Sequence, residues 1–145
     1  MRIALGLEYD GTAFCGWQTQ PQRCGVQDHL QEALARFADA PIEVVAAGRT
    51  DTGVHATAQV VHFDAEAKRE LQGWVRGTNA YLPESARVVW SAEVRADFHA
   101  RYSAKFGFPF ILAVKDYDRA GILRELARRV DNDRATEFAE CLAQV

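Results

Sequence analysis

The sequence predicts an α+β fold: an antiparallel sheet with helices on one face, followed by a helical hairpin. Three patterns carry that reading. Ile3, Leu5, Leu7 and Tyr9 alternate with Ala4, Gly6 and Glu8, the period of a half-buried strand. Strand-like and helix-like stretches then follow in the order strand, helix, strand, strand, helix, strand. Two more apolar stripes at helical spacing fill the C-terminal forty or so residues, where the polar residues suit helix caps rather than hairpin turns.

Taken in order, residues 11–25 are rich in Gly, Gln, Pro and Thr and read as a long loop after the first strand. Val26, Leu30, Ala33, Leu34 and Phe37 mark an amphipathic helix that Asp39-Ala40-Pro41 ends, because proline cannot continue the helical backbone. Residues 42–46 and 58–63 read as strands flanking a turn. Residues 68–80 read as a helix with Leu71, Trp74 and Val75 inward, broken at Leu82-Pro83. Residues 87–94 return as a strand centred on Val88 and Val89. This succession is that of one ferredoxin-like half, and helices on one face leave the other free to hold a nucleic acid.

Beyond it, residues 108–114 are apolar, but Pro109 confines them to a sheet edge. Asp118 is placed to cap a helix striped by Ile122, Leu123, Leu126, Ala127 and Val130. Asn132-Asp133 caps a second helix, on which Ala135, Phe138, Ala139 and Leu142 are expected to face the core.

Composition narrows the class. No apolar run approaches the length of a membrane span, and the N-terminus lacks a signal peptide's basic-then-apolar layout. Cys15, Cys24 and Cys141 are an odd number without metal-like pairing, and read as reduced thiols of a cytoplasmic protein with Cys141 buried and free. The four histidines are scattered over different elements, so neither a metal nor another cofactor is expected. The formal charge is −3, and residues 1–104 hold ten Lys or Arg against thirteen Asp or Glu. Phosphate binding would then rest on a local patch around Arg23, Arg49, Arg76 and Arg101.

The densest chemistry lies in Gly48-Arg49-Thr50-Asp51-Thr52-Gly53-Val54-His55-Ala56, between two expected strands. Loops held by rigid strands are where catalytic groups are presented. Arg49 stands two residues before Asp51, in reach to hold the carboxylate ionised and directed. The bland alternative is a turn stabilised by an ion pair, with Thr50 and Thr52 as capping hydroxyls. Asp-Thr-Gly is also the tripeptide of aspartic proteases, but those place apolar strand residues before the aspartate, where this chain has Arg49-Thr50.

This nonapeptide resembles the signature of the tRNA pseudouridine synthase A family. Tyr9-Asp10-Gly11-Thr12, Gly16-Trp17-Gln18, Gly25-Val26-Gln27, Gln59-Val60, His62-Phe63, Leu82-Pro83 and residues 97–104 are similar to that family's further motifs, in its order. The resemblance covers residues 1–104 as an N-terminal half-domain. It implies isomerisation of uridine to pseudouridine in the anticodon stem-loop region of tRNA, with no cofactor. Asp51 would be the catalytic residue, and Arg49, Thr50, His55 and Arg101 would contact the substrate. It also implies a cleft between two similar halves, completed in a homodimer.

After Ala104 that resemblance stops. The family would continue with an arginine and a tyrosine-rich strand, whereas residues 105–114 contain neither residue type. Residues 105–145, with Lys105-Phe106-Gly107-Phe108-Pro109-Phe110, Leu123, Leu126, Asn132-Asp133 and Glu137, are instead similar to the C-terminal region of OHCU (2-oxo-4-hydroxy-4-carboxy-5-ureidoimidazoline) decarboxylases. That family's His-Pro-Asp-Leu and Ser-x-x-Glu-Gln motifs are missing, so this tail implies no decarboxylation. The chain reads as a fusion whose isomerase activity is impaired, or as an inactive or RNA-binding remnant.

Overall fold

The computed structural model describes residues 1–96, 98 and 119–143. The chain divides into two compact units, Met1–Ala96 and Asp97–Val145. The boundary expected at residues 104–105, Asp118, Arg101 and the apolar run 108–114 lie outside the described residues.

In the first unit, β1 (Arg2–Tyr9), α1 (Val26–Ala38), β2 (Val45–Ala46), β3 (Ala56–Asp64), α2 (Leu71–Asn79) and β4 (Ala86–Val94) follow one another in the expected order. The strands form one open sheet, ordered β2-β3-β1-β4. Every pairing is antiparallel, with Leu5 opposite both Val61 and Ser91 at the centre. This is the ferredoxin-like arrangement, and its physical basis is the alternation along β1. Ile3, Leu5, Leu7 and Tyr9 all turn toward the core, joined by Val61, Phe63 and Val88 from the neighbouring strands.

The helices supply the other wall. Val26, Leu30 and Leu34 of α1 are fully buried, as is Trp74 of α2. The Trp74 ring meets Phe37 and Phe63 edge-on, with centroids 5.2 and 5.1 Å away. The start of α1 is fixed by Asp28, whose carboxylate accepts the Gly25 amide at 3.0 Å, one half of a capping box.

Three local expectations change. The strand expected over residues 42–46 shrinks to Val45–Ala46, although Ile42 and Val44 are buried. Gln31 Oε1 accepts the Val44 amide and Gln27 Nε2 donates to its carbonyl, so helix side chains take the bonds a ladder would have used. The second helix starts at Leu71 rather than at 68. Val89 faces outward and is exposed, leaving Val88 as the buried residue at that point of β4. Among the described residues, no helix is long and apolar enough to cross a membrane.

In the second unit, α3 (Arg119–Arg129) and α4 (Arg134–Leu142) form the expected helical pair. Asp133 caps α4 by accepting the Ala135 and Thr136 amides, each at 3.0 Å. The expected apolar face of α4 is corrected, because Phe138 and Leu142 are exposed while Glu137 and Cys141 are buried. Glu137 turns inward to meet Arg129, and residue 141, one turn on, shares its face.

Candidate functional site

Two loops build the site: the β2–β3 loop, which carries Asp51, and the β1–α1 loop that clasps it. Asp51 is exposed at the crest of the first. Gly53 adopts φ +83, a backbone that an L side chain strains to reach, and the Val54 amide bonds the Asp51 carbonyl across the turn at 3.1 Å.

The clasp depends on two glycines. A β-carbon on Gly11 would fall 2.0 Å from the Val54 carbonyl oxygen, and one on Gly16 would fall 3.0 Å from the Thr50 oxygen. Between those approaches the Trp17 amide donates to the Thr50 carbonyl at 2.9 Å. From below, Tyr9 Oη lies 2.7 Å from Thr50 Oγ1 and Gln59 Nε2 donates to the Gly48 carbonyl at 2.7 Å. Burial raises the Tyr9 phenol above its ordinary value, opposed by its bonds to Thr50 and Gln59. The residue before Asp51 is therefore held by side chain and main chain at once, while the carboxylate stays open to a ligand.

Arg49 behaves differently from the expectation. Its Nη1 donates to Gln18 Oε1 at 3.2 Å, and no ion pair joins it to Asp51 among the described residues. Both arginine and Gln18 are exposed, so the guanidinium is directed across the clasp rather than back along its own turn. His55 closes the far end of the loop. Its Nδ1 accepts the Gly11 amide at 3.1 Å and lies 3.2 Å from Asp10 Oδ1. In the neutral ring that nitrogen is an acceptor for Gly11, and on protonation it becomes a donor to Asp10. The Asp10 carboxyl is held below the usual range, chiefly by the Thr12 hydroxyl and amide and only then by His55.

A groove of about 580 Å³ opens beside His55, lined by Glu8, Asp10, Thr57, Glu84 and Arg87 among others. Asp51 does not line it. Of the expected site residues, the structure thus brings Thr50, Asp51 and His55 onto one clasped loop with Arg49. The roles of Tyr9, Gln59, Gly11 and Gly16 were not foreseen. A glycine-rich stretch directly after a strand was the available signal that another backbone approaches closely.

Cys15 and Cys24, expected as reduced thiols, are joined in a disulfide, whereas Cys141 is free and buried as expected. The loop between them folds back on itself, with the Cys15 amide bonded to the Cys24 carbonyl at 2.9 Å, and that brings the two side chains together.

Comparison with known proteins finds two likenesses. Residues 55–145 match the OHCU decarboxylase family. The tRNA pseudouridine synthase A of Thiobacillus denitrificans is 56% identical over 113 residues, covering 77% of this chain and 44% of that protein. The proteins of the same name from Methylobacillus flagellatus and Burkholderia cenocepacia are 60% and 59% identical over 104 residues, 72% of this chain and 40% and 38% of theirs. The chain spans less than half the length of these curated relatives.

Proposed function

We infer the function from a double membership: the chain belongs to the OHCU decarboxylase family over residues 55–145, and its N-terminal part to the tRNA pseudouridine synthase A family. We propose that the chemistry follows the second of these, an isomerisation of uridine to pseudouridine in tRNA. The observation that carries it is the clasped loop, which presents Asp51 exposed beside a Thr50 fixed by Tyr9 and Trp17. Decarboxylation has no such support, since the His-Pro-Asp-Leu and Ser-x-x-Glu-Gln motifs are missing from the sequence.

In this reading Asp51 is the nucleophile. The C1′–N1 bond breaks, the base turns, and C5 bonds to C1′, with the carboxylate adding at C6 of the base or at C1′ of the sugar. Either route needs the uridine lifted from its stack, because its reacting atoms are out of reach inside a helix. Arg49 reaches across the clasp to the RNA backbone or the vacated stack, and Thr50 and His55 hold the loop that meets the nucleotide. Arg101 adds a second cation to the substrate. The substrate is the anticodon stem-loop region of a cytoplasmic tRNA, and a second copy of the chain completes the cleft.

Turnover by this chain is slow. Residues 105–114 contain no tyrosine to stack on the target base, and the net charge of −3 weakens RNA docking. Those two observations also favour the second reading, a protein that binds RNA without turning it over. Tritium release from C5-labelled uridine in tRNA separates the readings. The expected outcome is slow release that Asp51→Asn abolishes with Tm nearly unchanged, because the carboxylate is exposed and has no ion pair among the described residues. Binding without any release would establish the second reading.

A further inference from the structure

We propose that Cys15 and Cys24 are a redox-active pair, a site of reversible oxidation whose disulfide holds the β1–α1 loop closed over the Asp51 loop. The regulatory consequence rests on the function proposed for Asp51; the redox site itself does not.

The pair closes a loop of nine residues' separation, with Cα atoms 5.3 Å apart. Both cysteines are half-exposed, so a small thiol reductant can reach them. Several contacts with the Asp51 loop come from residues within that closure. Gly16 packs on the Thr50–Thr52 backbone, the Trp17 amide donates to the Thr50 carbonyl, and Gln18 accepts from Arg49. Beneath, the Val26 and Gln27 amides of α1 hold Gly16 and Trp17, each at 3.0 Å. The far end of the loop is less comfortable. Arg23, next to Cys24, sits at φ 54 in the left-handed region, a conformation that surrounding constraints must hold. The disulfide is one such constraint, and its opening lets Arg23 return to ordinary backbone.

The step balances with an external dithiol as reductant. Two electrons and two protons pass from that dithiol to the S–S bond, which breaks to give two cysteine thiols, while the reductant becomes its own disulfide. Reoxidation reverses it. In reducing compartments, disulfides of this kind act as sensors more often than as staples. Cys141, buried in the other unit, takes no part.

The experiment uses the full chain equilibrated with oxidised or reduced dithiothreitol. Thiols are counted by alkylation under denaturing conditions, and hydrogen exchange is followed in peptides spanning residues 16–23 and 47–54. The oxidised chain should expose one alkylatable thiol and the reduced chain three. Reduction should speed exchange at Trp17 and in the Asp51 loop about tenfold, since closure energy is lost locally. The Cys15→Ser/Cys24→Ser variant should exchange fast in both conditions. Three thiols in the oxidised chain, or exchange that ignores reductant, would overturn the proposal. Asp51→Asn should keep the redox-dependent exchange, so failure of the isomerase reading and failure of this one give different results.

Discussion

Among the described residues, the largest fully buried side chains of Met1–Ala96 are Trp74, Phe63, Ile3, Leu5 and Leu7, whereas those of the α3–α4 pair are Arg129 and Glu137. The first unit joins residues some sixty positions apart, such as Ile3 and Phe63, through ladder bonds and apolar contact. The second closes over short sequence distances, with the Arg129 Nη2 atom 2.5 Å from Glu137 Oε1 and 3.0 Å from Cys141 Sγ. Apolar burial releases water with little directional demand. A buried ion pair must first recover the hydration of both charges, so it specifies an orientation more than it stabilises. On α4 the ion-paired Glu137 is buried while Phe138 and Leu142 are exposed.

Substitutions can break this contrast, and the largest effect should come from the apolar unit. Trp74→Ala removes the ring between Phe37 and Phe63 and should cost about 3–5 kcal/mol, read as a lowered urea midpoint. All three tryptophans belong to the first unit, so tryptophan fluorescence excited at long wavelength reports that unit. Glu137→Ala should cost the helical pair about 3 kcal/mol by removing the buried carboxylate nearest the Arg129 guanidinium, beside which Glu140 lies at 3.5 Å. Circular dichroism should lose helix while the fluorescence transition stays in place. A concerted shift of both signals would mean that the units unfold together. Replacing both partners by Met and Leu should restore most of the helix, because the desolvation penalty leaves with the charges.

A smaller effect separates Tyr9 from the rest of the core. Its folded pKa lies above the ordinary 10.0, so the neutral phenol is favoured in the native state. The associated stability is complete below about pH 10 and is lost as pH rises through the higher folded value. Tm should therefore fall more steeply above pH 10 in the natural chain than in Tyr9→Phe. Equal slopes would show that burial does not raise the Tyr9 phenol. The smallest effect belongs to the exposed Arg2–Asp64 pair, at 2.7 Å. The Arg2 hydrogen bond holds the Asp64 carboxyl below its ordinary 3.8. Its stabilisation is present above that value and vanishes as pH falls through the lower folded one. Arg2→Ala should change stability by less than about 1 kcal/mol, and the acid limb of the Tm profile should barely move.

Periodicity alone determined the order of strands and helices, the inward face of β1, and the placement of Asp51 on a loop between strands. Each is written in neighbouring residues. The cap at Asp133 was legible for the same reason, since a side chain and amides two and three positions on form the whole interaction. The family motifs added the catalytic reading of Asp51, which no local pattern carries. What only the tertiary structure decided involves residues far apart in the chain. Val44 left the ladder because Gln27 and Gln31 reached it first. Arg49 turned to Gln18 rather than to Asp51, two residues away, because the β1–α1 loop lies across it. Tyr9 met Thr50, forty-one positions on, and Cys15 met Cys24 through a loop that folds back on itself. Sequence spacing constrains partners on one element, where geometry is periodic. Between elements, the partner is set by which backbones approach, and here Gly11 and Gly16 set that approach.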